Sequence, residues 1–326
     1  MSPTISSRQL ATSSELPAPK VGVVYSVSTG GYDLEKSSQA KQDNAMKSGG
    51  VSRQHLQTLR KPGIDFFFFC DMQSCAQARQ LHPSATSIFT VVPIEEATSL
   101  GNLYSNVSAR MSSASKLQRM SRFVKILPHR IPLLAGYRVS LYIDANVLPS
   151  GSPLMPLLKQ FDPSQGGTVD LGFYDFQRSL EHEGEHVGAI LAKTRDGRAY
   201  LRSSSLMNFS VRDQIQEYQA AFNTTLQPVP ADYSASTNYG KVIVRANNDR
   251  TKFFNERWWQ EFCRGVPRDQ LSYKYSMRVA ELQVGLRALR LNEGMGARLC
   301  KCAADTRGFQ RFFRHQGRFT SKLGNR

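Results

Sequence analysis

Residues 119–146 read RMSRFVKILPHRIPLLAGYRVSLYIDAN, and the reading of this stretch decides the fold. It opens on a basic turn with helical spacing and passes through Pro128 and His129. It closes on an apolar run, residues 139–143, that delivers Asp144 and Asn146 at its end. An apolar run of that length between turn-forming residues is a buried strand. In open α/β sheets the ligand sits outside the carboxyl ends of the strands. A carboxylate there, with Arg122 and Lys125 upstream, suits a divalent cation and a diphosphate better than a packed core.

The flanking sequence repeats the pattern. Upstream, residues 20–26 (KVGVVYS) form a first strand that runs into VSTGGYD, a loop with two glycines. Such glycines let backbone approach a nucleotide, although this loop is neither a GxGxxG nor a P-loop. Residues 37–50 are polar and read as a loop. Residues 64–70 (IDFFFFC) are a second strand, and four consecutive Phe predict burial on both of its faces. Asp71 at its end can hold a base or ribose, or cap the next helix. Residues 86–92 read as a third strand and residues 108–126 as a helix. Downstream, a helix is expected over 154–161, a strand over 168–174 and a charged helix from Arg178. An amphipathic helix over 210–222 and a strand over 241–245 follow. A helix over 255–264 carries Trp258 and Trp259, and another starts at Pro267. Strands alternating with helices predict an α/β domain with a mostly parallel sheet flanked by helices. No internal repeat is visible.

Composition narrows the partners. The chain has 326 residues, 40% of them hydrophobic, which supports a sizeable core. A formal net charge of +16 favours anionic ligands: phosphates, nucleotides, nucleic acid or acidic glycans. Five cysteines are an odd number without a paired CxxC framework, which predicts reduced thiols and no zinc ribbon. No window reaches the apolar length of a membrane span, and the Ser-rich first residues lack a secretory apolar core. The expected organisation is a flexible arm over 1–19, one domain over 20–282 and a basic extension over 283–326. The expected compartment is the cytoplasm, with a secretory lumen as the alternative.

Several motifs together resemble the glycosyltransferase-like domain of plant mucilage-polysaccharide proteins and bacterial capsule-associated relatives. They are the strand leading to Gly31-Tyr32-Asp33, then Phe69-Cys70-Asp71, then Arg122, Lys125, Pro128 and His129. Tyr142-Ile143-Asp144, Asn255 with Trp258-Trp259, and the RDQLS block of residues 268–272 complete the set. Order and spacing agree from about residue 20 to 276. Family members carry His-x-x-Arg where this chain has Asp175-Phe176-Gln177-Arg178, a departure from the pattern. The resemblance implies a GT-A-like, Rossmann-type domain that uses a nucleotide sugar and a Mn²⁺ or Mg²⁺ ion. It implies a glycan or other hydroxyl acceptor. It also implies a nucleotide-sugar site drawn from Tyr25, Tyr32, Asp33, Asp71, Arg122, Lys125, His129, Asp144 and Gln270. The Asp-x-Asp that such folds present to the metal reads Asp144-Ala145-Asn146 here, with a neutral amide that can ligate through oxygen but brings no charge, so weaker metal affinity is expected.

Sugar transfer needs the growing charge of the leaving diphosphate to be neutralised. Asp144 is the expected metal ligand, Asn146 the second, and His315 in the basic tail a third; a surface role for His315 is the alternative. Arg122 and Lys125, three apart on one helix face, are expected to grip the diphosphate, or else to form a solvated basic face. Asp269 is the candidate base or sugar-holding acid, or an ordinary first-turn acid. Arg268 would pair with Asp269 or with phosphate. Trp258 and Trp259 serve packing or stack on a sugar. Two other classes compete. Residues 182–186, HEGEH, match the zinc-hydrolase pattern H-E-x-x-H, although Gly184 and the charged Glu185 suit such a helix poorly. The basic tail with Phe309, Phe312, Phe313 and Phe319 could bind nucleic acid or another polyanion.

Overall fold

The structure is a computed structural model that describes residues 20–29, 62–81, 89–94, 113–144, 147–149, 154–176, 211–228, 237–265, 269–291 and 313–315. Its strands are β1 (Lys20–Ser28), β2 (Ile64–Cys70), β3 (Thr90–Pro93), β4 (Tyr137–Ile143), β5 (Val147–Pro149), β6 (Leu171–Phe176), β7 (Thr237–Ala246), β8 (Ala288–Arg290) and β9 (Phe313–His315). Its helices of eight residues or more are α1 (Met72–Leu81), α2 (Ser113–Ile126), α3 (Leu154–Phe161), α4 (Val211–Asn223), α5 (Asp249–Arg264) and α6 (Asp269–Val284).

Among the described residues one sheet runs in the order β3, β2, β1, β4, β7, β6, β8. Every neighbouring pair is parallel except those of β7, which is antiparallel to both β4 and β6. The expected α/β architecture with a mostly parallel sheet is the one observed. Alternation along the strands explains its two apolar faces. Val23, Tyr25, Val27, Phe69, Tyr142 and Ile243 pack under α2, α4, α5 and α6. Val24, Phe66, Leu141, Ile143, Val242 and Val244 pack under α3. The four Phe of β2 divide between these layers: Phe66 meets Phe89 edge-on, and Phe69 meets Tyr25 edge-on. Each fully buried Phe or Leu contributes on the order of 1.5–3 kcal/mol, so the two layers rather than the charge pairs hold the sheet together. Helix α3 lies close because β1 and β6 offer glycine: a Cβ on Gly22 would stand 2.7 Å from Leu158 Cδ1, and one on Gly172 2.5 Å from Phe161 Cζ.

Three expectations are corrected. Cys70 and Cys75 form a disulfide, where reduced thiols were expected; the end of β2 and the first turn of α1 bring their Cα atoms to 5.3 Å. Cys263 is a free thiol. Helix α5 starts six residues earlier than the sequence pattern predicts. Asn248 caps it: its side-chain oxygen accepts from the Thr251 amide while the Thr251 hydroxyl accepts from the Asn248 amide, a capping box with threonine in the usual Glu/Gln place. Strands β8 and β9 fall where no strand was expected; β8 pairs with β6 at the edge of the sheet. The charged helix expected from Arg178 and the HEGEH segment lie outside the described residues. Among the described residues no helix is long and apolar enough to cross a membrane.

Candidate active site

The chain leaves β1 in one direction to β2 and returns on the other side as β4, so the strand order reverses between β1 and β4. Ligands bind at such a reversal, beyond the carboxyl ends of the strands. Parallel register sets Tyr25 beside Tyr142, which places the end of β1 level with Asp144.

Tyr142 and Asp144 are two apart on an extended chain and share a side of the sheet. The Tyr142 hydroxyl donates to Asp144 Oδ1 at 2.6 Å. Burial, reinforced by the adjacent Asp144 charge, pushes this phenol well above the usual tyrosine range, which keeps it a donor. Asp144 is half-buried, and its Oδ2 has no hydrogen-bond partner among the described residues.

Helix α2 supplies the cations. Arg122 Nε donates to Asp269 Oδ1 at 3.0 Å, and Lys125 Nζ donates to Asp269 Oδ2 at 2.5 Å. The Lys125 and Asp269 side chains are 4% and 3% exposed, and that of Arg122 is 24% exposed, so Arg122 is the cation that reaches solvent. Lys125 Nζ also stands 5.0 Å from the centre of the Tyr142 ring, a cation–π arrangement. Burial pulls the Lys125 ammonium below the usual lysine range against the opposing pull of Asp269 and Asp144. Burial acts in the same sense on Arg122, but Asp269, Tyr142 and Asp144 outweigh it and hold the guanidinium above its usual range. Asp269 is the first residue of α6, where the positive end of the helix dipole favours a carboxylate. Its backbone carbonyl accepts from Trp258 Nε1 at 2.8 Å.

The cluster therefore contains two carboxylates and two cations, gathered from α2, the residue after β4, and the start of α6, which is remote in sequence from the other two. It brings together Asp144, Arg122, Lys125 and Asp269. Gln270 follows Asp269, and among the described residues its buried Oε1 has no hydrogen-bond partner. An enclosed orphan acceptor one residue after Asp269 is the kind of atom a ligand hydroxyl can satisfy.

Other expected site residues sit elsewhere. Tyr25 is fully buried beneath the cluster; its hydroxyl donates to the Lys125 backbone carbonyl at 3.2 Å and accepts from Arg245 at 3.0 Å. Asp71 is buried and caps α1, accepting from the Ser74 amide at 3.2 Å and the Ser74 hydroxyl at 2.8 Å. His129 faces α5: its Nε2 is 2.8 Å from Glu256, whose carboxylate also takes Arg130. It lines a small cavity with Ser140, Asn247 and Asn255, toward the start of β4 and away from Asp144. Trp258 is fully buried, and Trp259 packs edge-on against Phe123. The backbone of His315 lies in β9 in register with Val147 of β5, three residues beyond Asp144. Tyr32, Asp33, Asn146 and Arg268 lie outside the described residues.

Sequence reasoning gave Tyr142, quoted only as part of a motif, no role of its own, and passed over Arg245. Tyr142 was findable, because a residue two before a strand-end acid shares its face. Arg245 in KVIVR offered no signal beyond being a charge inside an apolar strand. Among the described residues no three His, Cys, Asp or Glu side chains gather as a metal site.

No protein-family model and no curated protein matches the sequence. Among solved structures, the chain is similar to the apo form of mouse xyloside xylosyltransferase 1, at 14% identity, over 91% of this chain and 95% of that one, with a TM-score of 0.45. It is similar to the galactosyltransferase LgtC in complex with donor and acceptor sugar analogues, at 14% identity over 90% and 82% of the two chains, with a TM-score of 0.36. It is also similar to the mannosyltransferase Ktr4p of S. cerevisiae, at 12% identity over 83% and 66%, with a TM-score of 0.35.

Proposed function

We propose that this chain is a glycosyltransferase that moves a sugar from a nucleotide-sugar donor to a glycan or other hydroxyl acceptor. The observation that carries the proposal is the convergence of Asp144, Arg122 and Lys125 on one place, at the carboxyl ends of β1 and β4 where the strand order reverses. The motif resemblance points to the same chemistry.

In this reading Arg122, the more exposed cation, meets the donor diphosphate first, and Lys125 neutralises charge from behind. Both are held in place by Asp269 before any ligand arrives, so little reorganisation is needed as charge develops on the leaving group. Asp269 acts here as the counter-ion of the two cations. Serving as a base would require its oxygens to leave them. Gln270, with its orphan oxygen, takes a sugar hydroxyl. A Mn²⁺ or Mg²⁺ ion fits only in part: Asp144 offers one open oxygen, and such ions are often held by one or two carboxylates together with substrate phosphates. Asp144, and Asn146 after it, would hold the ion, which would supply further neutralisation of the diphosphate.

The test is thermal stability across a panel of UDP- and GDP-sugars, with and without Mn²⁺. Stabilisation by one nucleotide sugar that vanishes in Asp144→Ala is expected. A panel with no response, in protein that also fails to hydrolyse any donor, would overturn the reading.

A further inference from the structure

Arg245 is 1% exposed and has no carboxylate partner among the described residues. A buried cation without a counter-charge is costly, and a chain that keeps one needs compensation. Here the compensation is specific. Arg245 Nη2 donates to the Lys125 backbone carbonyl at 3.1 Å, and Nη1 donates to the Tyr25 hydroxyl at 3.0 Å, which in turn donates to the same carbonyl. Helix α2 ends at Ile126, so this carbonyl is one of the last four that the helix itself leaves unpaired. The negative end of the helix dipole thus faces the guanidinium. Its other face lies over the Trp258 ring, 5.9 Å from the centre, and Trp258 holds the backbone of Asp269. Register sets Arg245 beside Ser140 on β4, the strand that leads into Asp144.

One buried residue thus links the elements of the cluster: its side chain holds the end of α2 that carries Arg122 and Lys125 and lies over Trp258, which in turn holds the start of α6, while its backbone pairs with β4. We infer that Arg245, with Tyr25, is a positioning residue: it holds the last turn of α2 so that the Lys125 ammonium sits against Asp269 within reach of a bound diphosphate. This rests on the diphosphate reading of the cluster. It places Tyr25 behind the site instead of in contact with the donor.

Arg245→Lys keeps the charge and loses the paired donors, and Tyr25→Phe keeps the packing and loses one bond to the carbonyl. Two properties are read on folded protein. The first is the titration of Lys125, followed by NMR on ¹³C-labelled lysine and assigned with Lys125→Arg. The second is the affinity for magnesium pyrophosphate, by calorimetry. The Lys125 titration is expected to move toward the ordinary lysine range in both variants, because a loosened turn hydrates the ammonium. Pyrophosphate is expected to bind about tenfold more weakly in Arg245→Lys, with a smaller loss in Tyr25→Phe. A guanidinium with a purely structural role would lower the unfolding midpoint and leave the titration unchanged, and that result overturns the inference. If Arg245→Lys does not fold, an unchanged titration in Tyr25→Phe overturns it equally. Failure of the underlying reading looks different: Arg122→Ala and Lys125→Met would then leave pyrophosphate affinity unaltered, while the Lys125 titration would still decide the positioning role.

Discussion

Two buried aspartates, Asp170 and Asp269, show how a brace differs from the candidate site. Asp170 is 1% exposed and accepts from Asn248, Arg250, the Arg287 side chain and the Arg287 backbone amide. Its two arginines keep nearly half of their side-chain surface in water. It thereby ties the start of β6 to the cap of α5 and the chain entering β8. Asp269 is as deeply buried, but one of its cations, Lys125, is buried with it, and a second carboxylate, Asp144, acts on both of its cations. Desolvating a lysine costs stability that a brace has no reason to give up. An arrangement that stores charge out of water is suited to neutralising a ligand.

The contrast can be broken most directly through activity. Asp144→Ala is expected to lower donor hydrolysis or transfer by roughly a thousandfold with little change in the unfolding midpoint. Asp170→Ala should change activity only as far as it unfolds the protein. Steady-state assays of both, with urea denaturation alongside, decide this, and comparable specific losses in the two would erase the distinction.

Stability comes next. Asp269→Asn leaves Lys125 buried, and Arg122 beside it, without their shared acid and should cost about 3–5 kcal/mol. Asp170→Asn, whose arginines can turn to solvent, should cost about 1–3 kcal/mol. If Asp269→Asn folds, turnover should fall more than donor affinity. An equal loss of both would make Asp269 a donor-binding group.

The two regions should also differ in pH dependence. Burial raises the Asp170 carboxyl, but hydrogen bonds from Arg287 and Asn248 outweigh this and hold it below the usual range. Its contribution is present above the unfolded-state value and is lost as pH falls through the lower folded value. Lys125 has the opposite edge: burial depresses its folded value, so the unfolded chain binds more protons between the two values and stability rises with pH across that alkaline window. Denaturation against pH should show a smaller acid limb in Asp170→Asn, with Asp65 and Glu256, also held low, supplying the remainder, and should lose the rise due to Lys125 in Lys125→Met. The reverse assignment would refute the electrostatic account. The smallest effect expected is that of Arg287→Ala, under about 1 kcal/mol and shrinking further in salt, because about half of that side chain is in water.

Much of this was legible in the residues. The apolar runs of β1, β2 and β4, the helical spacing of α2 and the acid at the end of β4 follow from local patterning, which burial on a sheet or a helix face imposes directly. Legibility fell where partners were remote. The Asn248–Thr251 cap uses threonine where sequence signals look for Glu or Gln, so α5 seemed to begin late. The Cys70–Cys75 pair lies outside any recognised spacing. The short β8 carries no periodic signal of its own, since pairing with β6 is what makes it a strand.

The sequence alone determined which residues could do chemistry: a strand-end acid, two basic residues on one helix face, and an acid opening a late helix. Tertiary structure alone decided which of them meet. It turned Arg122 and Lys125 onto Asp269, sent His129 to Glu256 on α5, and buried Tyr25 and Arg245 beneath the site. The reason is physical: periodicity sets which face of an element a side chain occupies, but which charges become neighbours depends on how the helices dock over the sheet, and docking is set by close packing of the two apolar layers.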